Sequence, residues 1–232
     1  MELKGYVIRR LEYGDFDEII TILTDESESI TFLSKGSRKS LSKNGRNLFV
    51  GNYCNFEVFL ARSKGKISRL KKAISIEEID WRMEWFTPFN LLNEFVSNYQ
   101  SFNRNLINVY VNLRQLIIDC KYDELALILI VLEQIIVLNG ISIEVNKCIE
   151  CGNKKIRNLS LKKHGFVCFD HFDPNETEFT IDECKLIHHL FNHQYEEINK
   201  YHSLMKKMIY ILAQYIKDNL GISFVSISQI KA

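Results

Sequence analysis

Five short segments rich in β-branched and aromatic residues fill the first 76 residues, and so dense a run of strands leaves few architectures open. They are LKGYVIRR, DEIITILT, ITFLSKG, LFVGNYCNFEVFLA and KISRLKKAISI, each bounded by Gly, Asp, Asn or Ser turn chemistry. Alternation is visible where Phe56, Val58 and Leu60 stand against Glu57 and Phe59, and where Ile67 and Leu70 are flanked by Lys66, Ser68 and Arg69. Five strands in a segment this small predict a closed or partly closed barrel rather than a sandwich. The commonest five-stranded barrel that binds oligonucleotides is the OB-fold.

After Trp81 the apolar period becomes helical. Phe89, Leu92, Phe95, Val96 and Tyr99 recur at three and four, and Pro88 sits near the start of that run, where its missing N–H costs nothing. Residues 105–119 and 123–138 predict two more helices. Asp123 and Glu124 place carboxylates at the positive end of the second, and Gly140 closes it. That helix is apolar on nearly every face, which suits the buried centre of a bundle. Thr180 followed by Glu183 has capping-box spacing and opens a helix toward His193. Residues 203–219 form the last helix, closed by Gly221. The expected fold class is therefore α+β: a barrel over 1–76, then a helical domain over 77–147 and 173–232 with a metal-binding knuckle inserted at 148–172.

Charge is segregated within the chain. Overall, 30 Lys and Arg face 29 Asp and Glu, yet between Lys35 and Lys72 eleven basic residues face one acid, Glu57. A field of that kind attracts polyanions without a high overall pI. Phe49, Tyr53, Phe56 and Phe59 are threaded through the same window, and rings beside cations suit single-stranded nucleic acid, whose bases stack and whose phosphates pair. The two loops richest in charge, 36–47 and 61–66, are expected at the barrel mouth. The candidate nucleic-acid contacts are Lys35, Arg38, Lys39, Lys43, Arg46, Lys64, Lys66 and Arg69. Residues 73–147, with five basic and ten acidic side chains, are a poor second choice.

The other chemistry lies at Cys148-Ile-Glu-Cys151-Gly152 and, after sixteen intervening residues, at Cys168-Phe-Asp-His171. Zinc takes four tetrahedral thiolate or imidazole ligands in such pairs, and a closed set of four is structural. Cys148, Cys151, Cys168 and His171 are the candidate ligands of one structural Zn²⁺. His164 and Cys184 are the alternatives for the fourth position, and His171 is preferred because its spacing from Cys168 mirrors the first pair. Cys54 and Cys120 read as small core hydrophobes. His188, His189 and His193 share a helix with no carboxylate placed between them as a metalloprotease would need, and they read as an exposed face.

Apolar residues make up 46% of the 232, an ordinary globular composition, and the longest apolar run, Leu125–Leu132, is too short to span a bilayer. The first residues, MELKGYVIRR, carry no apolar stretch of signal-peptide length. The expected location is the cytoplasm, where clustered thiols point to metal rather than to disulfides. Walker, nucleophile-elbow and deaminase motifs are absent.

Taken together, GYVIRRLEYGDFDEIITILTDE, the following SKGSRKS and a CxxCG segment set among helices resemble the RecO family of bacterial recombination mediators. The resemblance runs the length of the chain in order. It implies binding of single- and double-stranded DNA, strand annealing, and action with RecR to help load RecA onto strands coated by single-stranded-DNA-binding protein, near the nucleoid. It implies no enzymatic activity. In the family's zinc-binding members a fourth cysteine usually stands where this chain has His171. The competing expectation is a zinc-stabilised OB-fold protein that binds RNA, because the barrel alone does not choose between the nucleic acids. A zinc hydrolase or nuclease would need an open metal position, which four protein ligands do not leave.

Overall fold

A computed structural model describes residues 1–61, 66–78, 86–98, 106–119, 122–228 and 230. The chain divides into two compact units. One holds Met1–Met83 with Leu92–Ile118, and the other holds Glu84–Leu91 with Asp119–Ala232.

The first unit is built on five strands: β1 (Glu2–Tyr13), β2 (Asp17–Thr24), β3 (Ser29–Ser34), β4 (Tyr53–Phe59) and β5 (Ser68–Glu77). They close in the order β1-β2-β3-β5-β4, with β1 antiparallel to β4 and β3 parallel to β5. This is the five-stranded OB-fold barrel that the sequence predicts. A bulge between Val7 and Arg9 lets β1 pair with β4 at one end and β2 at the other, since an inserted residue sharpens the twist. Val7, Ile20, Ile22, Phe32, Phe56, Val58, Leu70 and Ala73 fill the interior together with Cys54.

The fourth segment differs from its expected extent. LFVGNYCNFEVFLA predicts a strand from Leu48, but β4 begins at Tyr53. Leu48 follows a short 3-10 turn at Gly45–Asn47 and is fully buried in the barrel core, so its apolar character comes from packing rather than pairing. At the other end of β4, Leu60 leaves the barrel pattern and is exposed.

Helix α1 (Phe86–Asn98) contributes residues to both units, and α2 (Leu106–Ile118) belongs to the first. Helix α2 lies against the barrel. Tyr110 packs on Tyr6 with ring centroids 5.0 Å apart, Arg114 pairs with Glu77 at 2.8 Å, and the Ile107 N–H donates to the Ser27 hydroxyl at 3.3 Å.

In the second unit, α3 (Glu124–Leu138) is buried along most of its length and packs against α4 (Ile181–Phe191) and α6 (His202–Leu220). The Asp123 carboxylate accepts from the Ala126 N–H at 2.9 Å, and Thr180 and Glu183 form the reciprocal capping box that opens α4. Gly221 ends α6 in the left-handed conformation. A hairpin of β6 (Asn158–Ser160) and β7 (Gly165–Val167) lies between α3 and α4, and the short α5 (Tyr195–Ile198) and α7 (Val225–Ser228) complete the unit. Among the described residues no helix is long and apolar enough to cross a membrane.

Candidate metal centre and nucleic-acid interface

The ligand-bearing atoms of Cys148, Cys151, Cys168 and His171 all lie within 4.8 Å of one another. The Cys151 and Cys168 sulfurs are 3.7 Å apart, and His171 Nδ1 is 3.6 Å from Cys148 Sγ and 3.3 Å from Cys168 Sγ. A tetrahedron with Zn–S near 2.3 Å and Zn–N near 2.0–2.1 Å has edges of about 3.6–3.8 Å. The four donors thus approach the spacing that a four-coordinate ion requires, and the cluster could hold a metal ion.

Two tight turns set this spacing. In the first, the Gly152 N–H donates to the Cys148 carbonyl and the Cys148 N–H to the Asn153 carbonyl, each at 2.8 Å. Gly152 has φ +74°, where a side chain would be strained. In the second, the His171 N–H reaches the Cys168 carbonyl at 3.3 Å. The β6–β7 hairpin and Ile156 and Phe172 cover Cys148 and Cys168, which are buried, whereas Cys151 is exposed and His171 half-buried. Burial pushes the Cys148 thiol up, but sulfur-directed N–H groups of Cys151, Cys168 and Glu150 outweigh it and bring the thiol down to about 6. Hydrogen bonds to the Cys168 and Cys148 sulfurs hold the His171 imidazole above its ordinary value.

The two alternative ligands lie elsewhere. His164 Nδ1 is 2.5 Å from the Tyr215 hydroxyl, which itself donates to the Ile141 carbonyl at 2.7 Å. Cys184 sits on α4 outside the cluster, its thiol pushed up to about 11 chiefly by burial.

On the barrel, the basic segment 36–47 is a folded element rather than a loose loop. The Gly36 N–H donates to Asp17 Oδ1 at 2.7 Å, and the Arg38 N–H to the Phe16 carbonyl at 3.0 Å. Asn44 and Asn47 clip the segment to β5: Asn47 Nδ2 donates to the Ala73 carbonyl at 2.8 Å, and the Ala73 N–H donates to Asn44 Oδ1 at 3.0 Å. At Gly45 an added Cβ would meet the Ser37 carbonyl oxygen at 2.1 Å, so the segment folds onto itself only with glycine there.

That folding creates two adjoining grooves. One, of about 770 Å³, runs along Arg10, Arg38, Lys39, Lys43 and Arg46 to Phe49. The other, of about 1300 Å³, runs from Lys43, Arg46 and Phe49 to Lys71 and Lys72. Lys43, Arg46 and Phe49 belong to both. Three exposed rings each carry a cation: Arg10 lies 5.3 Å from the Phe49 centroid, Lys39 5.6 Å from Phe16, and Lys71 5.7 Å from Phe59. Rings of this kind can stack bases while the cations meet phosphates.

Of the sequence-predicted contacts, Arg38, Lys39, Lys43 and Arg46 line these grooves. Lys35, Lys66 and Arg69 are exposed but line neither, and Lys64 lies outside the described residues. Phe56 corrects the reading of the aromatics. Its side chain points into the barrel, fully buried 5.6 Å from the Phe32 ring, and offers no surface to a base. Arg10, Phe16, Lys71 and Lys72 were missing from the candidate set. Arg10 and Phe16 fall outside the basic window, and only the closing of the barrel brings them to it.

A closed OB barrel with a basic face, followed by a helical unit whose Cys3His cluster could hold a metal ion, defines a class: nucleic-acid-binding proteins of the OB type. Residues 1–79 match the sequence model of the family described as Recombination protein O N terminal. Proteins named DNA repair protein RecO are similar over most of the chain. That of Mesoplasma florum is 26% identical over 208 residues, 87% of this chain and 78% of its own. That of Caldicellulosiruptor bescii is 24% identical over 225 residues, 94% of this chain and 92% of its own. A third, from Mycoplasma capricolum, is 31% identical over 106 residues, 44% of this chain and 43% of its own. Residues 1–79 thus match the N-terminal domain of RecO, and the chain as a whole is similar to proteins named DNA repair protein RecO.

Proposed function

We propose that this chain is a non-enzymatic recombination mediator. It binds single- and double-stranded DNA on the basic face of the barrel and anneals complementary strands. With RecR it helps load RecA onto strands coated by single-stranded-DNA-binding protein, acting at the nucleoid. The observation that carries this reading is the meeting of the two grooves at Lys43, Arg46 and Phe49. Cations there neutralise phosphates without regard to sequence, and the exposed Phe49 offers a stacking surface to an unpaired base. Lys35, Lys64, Lys66 and Arg69 extend the same charge beyond the grooves.

Cys148, Cys151, Cys168 and His171 would hold one structural Zn²⁺, which supplies cross-linking of the two knuckle turns when bound. Four protein donors leave no position for a reacting water, in keeping with a role in shape rather than chemistry. The helical parts, 77–147 and 173–232, serve as the platform for RecR and the single-stranded-DNA-binding protein. Annealing assays with matched DNA and RNA oligonucleotides test the reading. Annealing of DNA is expected, and activity confined to RNA would replace the mediator with an RNA-binding protein.

A further inference from the structure

We infer that the knuckle itself is a second contact for single-stranded nucleic acid, separate from the barrel. Residues 147–163 hold six basic side chains (Lys147, Lys154, Lys155, Arg157, Lys162, Lys163) against one acid, Glu150. Two of the six are spoken for internally: Lys163 pairs with Glu150 at 2.9 Å, and Arg157 pairs with Glu178. Lys147, Lys154, Lys155 and Lys162 are exposed and form no ion pair among the described residues. Three of these flank the first knuckle turn. The Lys155 N–H donates to Asn153 Oδ1 at 2.9 Å, and Asn153 in turn holds the Cys148 N–H, so the turn that positions the metal donors also positions the lysines.

The second turn supplies the ring. Phe169, next to Cys168, is 72% exposed, whereas Phe166 on β7 is buried. The Phe169 ring lies outside the core clusters of the described residues. Arg157, anchored by Glu178, sits 5.6 Å from its centroid and 4.9 Å from that of Phe172. The 3.7 Å approach of the Cys151 and Cys168 sulfurs brings the lysine-bearing turn and the ring-bearing turn together. Among the acids that follow, Asp170 beside Phe169 is exposed, and Asp173, near Lys162, is engaged by the Asn175 N–H and side-chain amide, both at 2.9 Å. Free cations beside an exposed ring with a guanidinium on one side match the chemistry of phosphate plus unpaired base. A duplex offers the phosphates but hides the bases, so single strands are the favoured ligand.

The test uses the full chain carrying Arg38, Lys39, Lys43 and Arg46→Ala, which weakens the barrel contribution, and a single-stranded oligonucleotide containing bromouracil. The crosslinked peptides tell the remaining barrel contacts from the knuckle. Residual salt-sensitive binding is expected, with photocrosslinks in the peptide that contains Phe169. Adding Lys147, Lys154 and Lys155→Ala should reduce the slope of log K against log salt by about 2, at roughly 0.7 per phosphate contact. Phe169→Ala should abolish the crosslink and weaken residual binding about fivefold or more, the low end for loss of one stacked base. Its thermal midpoint should be unchanged because the ring is exposed. Loss of all binding in the barrel variant, or crosslinks confined to barrel peptides with the knuckle variants unchanged, would overturn this inference and leave the barrel interface standing. Full binding by the barrel variant, with crosslinks at Phe169, would support the knuckle and remove the barrel.

Discussion

Arg10 lies over the Phe49 ring, 5.3 Å from its centroid, and is held there by both carboxylate oxygens of Glu18, at 2.8 and 3.0 Å from its Nη2. Glu18 is almost fully buried and Arg10 only partly so, and the pair therefore fixes a cation at the edge of the shared groove region. Phe49→Leu should keep the fold and weaken single-strand binding by about 1–3 kcal/mol, the range for loss of one stacked base, while duplex binding changes less. Equal losses on both forms in direct titrations would show that Phe49 does not stack a base.

The groove cations should govern salt dependence. With about four to six phosphates contacted, log K for single strands should fall against log salt with a slope of roughly −3 to −4. Replacing Arg38, Lys39, Lys43 and Arg46 together by Ala should flatten that slope, and a slope equal to the parent's would take these side chains out of the interface.

Zinc should be found at one per chain by elemental analysis. Cys148→Ser should lose it and loosen the knuckle, whose metal contributes on the order of 10 kcal/mol in isolated zinc peptides. Strand binding by the barrel should persist. Protein prepared without chelators and found free of zinc would contradict the assignment.

Zinc affinity should fall as pH falls. Binding needs Cys148 as thiolate and His171 neutral, and without metal the former titrates near 6 while the latter is held above its ordinary value. Protons therefore compete increasingly as pH drops through 6, and a chelator competition series between pH 7 and 5 should show steady weakening. Affinity independent of pH over that range would exclude these donors.

Glu133 gives a stability effect of opposite sign to the usual carboxylate. Buried in α3, it is raised chiefly by desolvation, which outweighs the Gln134 and Tyr195 hydrogen bonds and the nearby His193. Its folded-state value lies above the unfolded one, so its contribution is fully present below the unfolded value and is lost as pH rises through the folded one. Glu133→Gln retains a carbonyl for the Tyr195 hydroxyl and should raise the thermal midpoint at pH 8 relative to the parent, with the gain shrinking on acidification. A lower midpoint at both pH values would show that the charge is needed.

Much of this was legible because it is local. Strand β2 coincides with DEIITILT, the Asp123 cap and the Thr180–Glu183 box can be read from spacing, and the four candidate metal donors lie in two short pairs. The alternation along β4 places Phe56 and Phe59 on opposite faces, but the charge of the window drew both into one set of stacking rings, and burial removes Phe56. The groove was less legible because its walls are assembled at long range. Arg10 arrives from β1, and Asn44 and Asn47 clip the basic segment onto β5 near Lys71 and Lys72. The grouping of α2 with the barrel likewise rests on Tyr110 and Arg114 meeting Tyr6 and Glu77, contacts between residues far apart in sequence.

The central claim, a strand-binding face at the junction of the two barrel grooves in a recombination mediator, is tested most directly by annealing. Complementary strands coated with single-stranded-DNA-binding protein would be mixed with the parent chain or with the Arg38, Lys39, Lys43 and Arg46→Ala variant, and duplex formation followed by fluorescence. The parent is expected to anneal the coated strands, and the variant to fall at least about tenfold in rate, since losing four phosphate contacts weakens single-strand binding strongly at physiological salt. Annealing by the variant at the parent's rate would contradict the account.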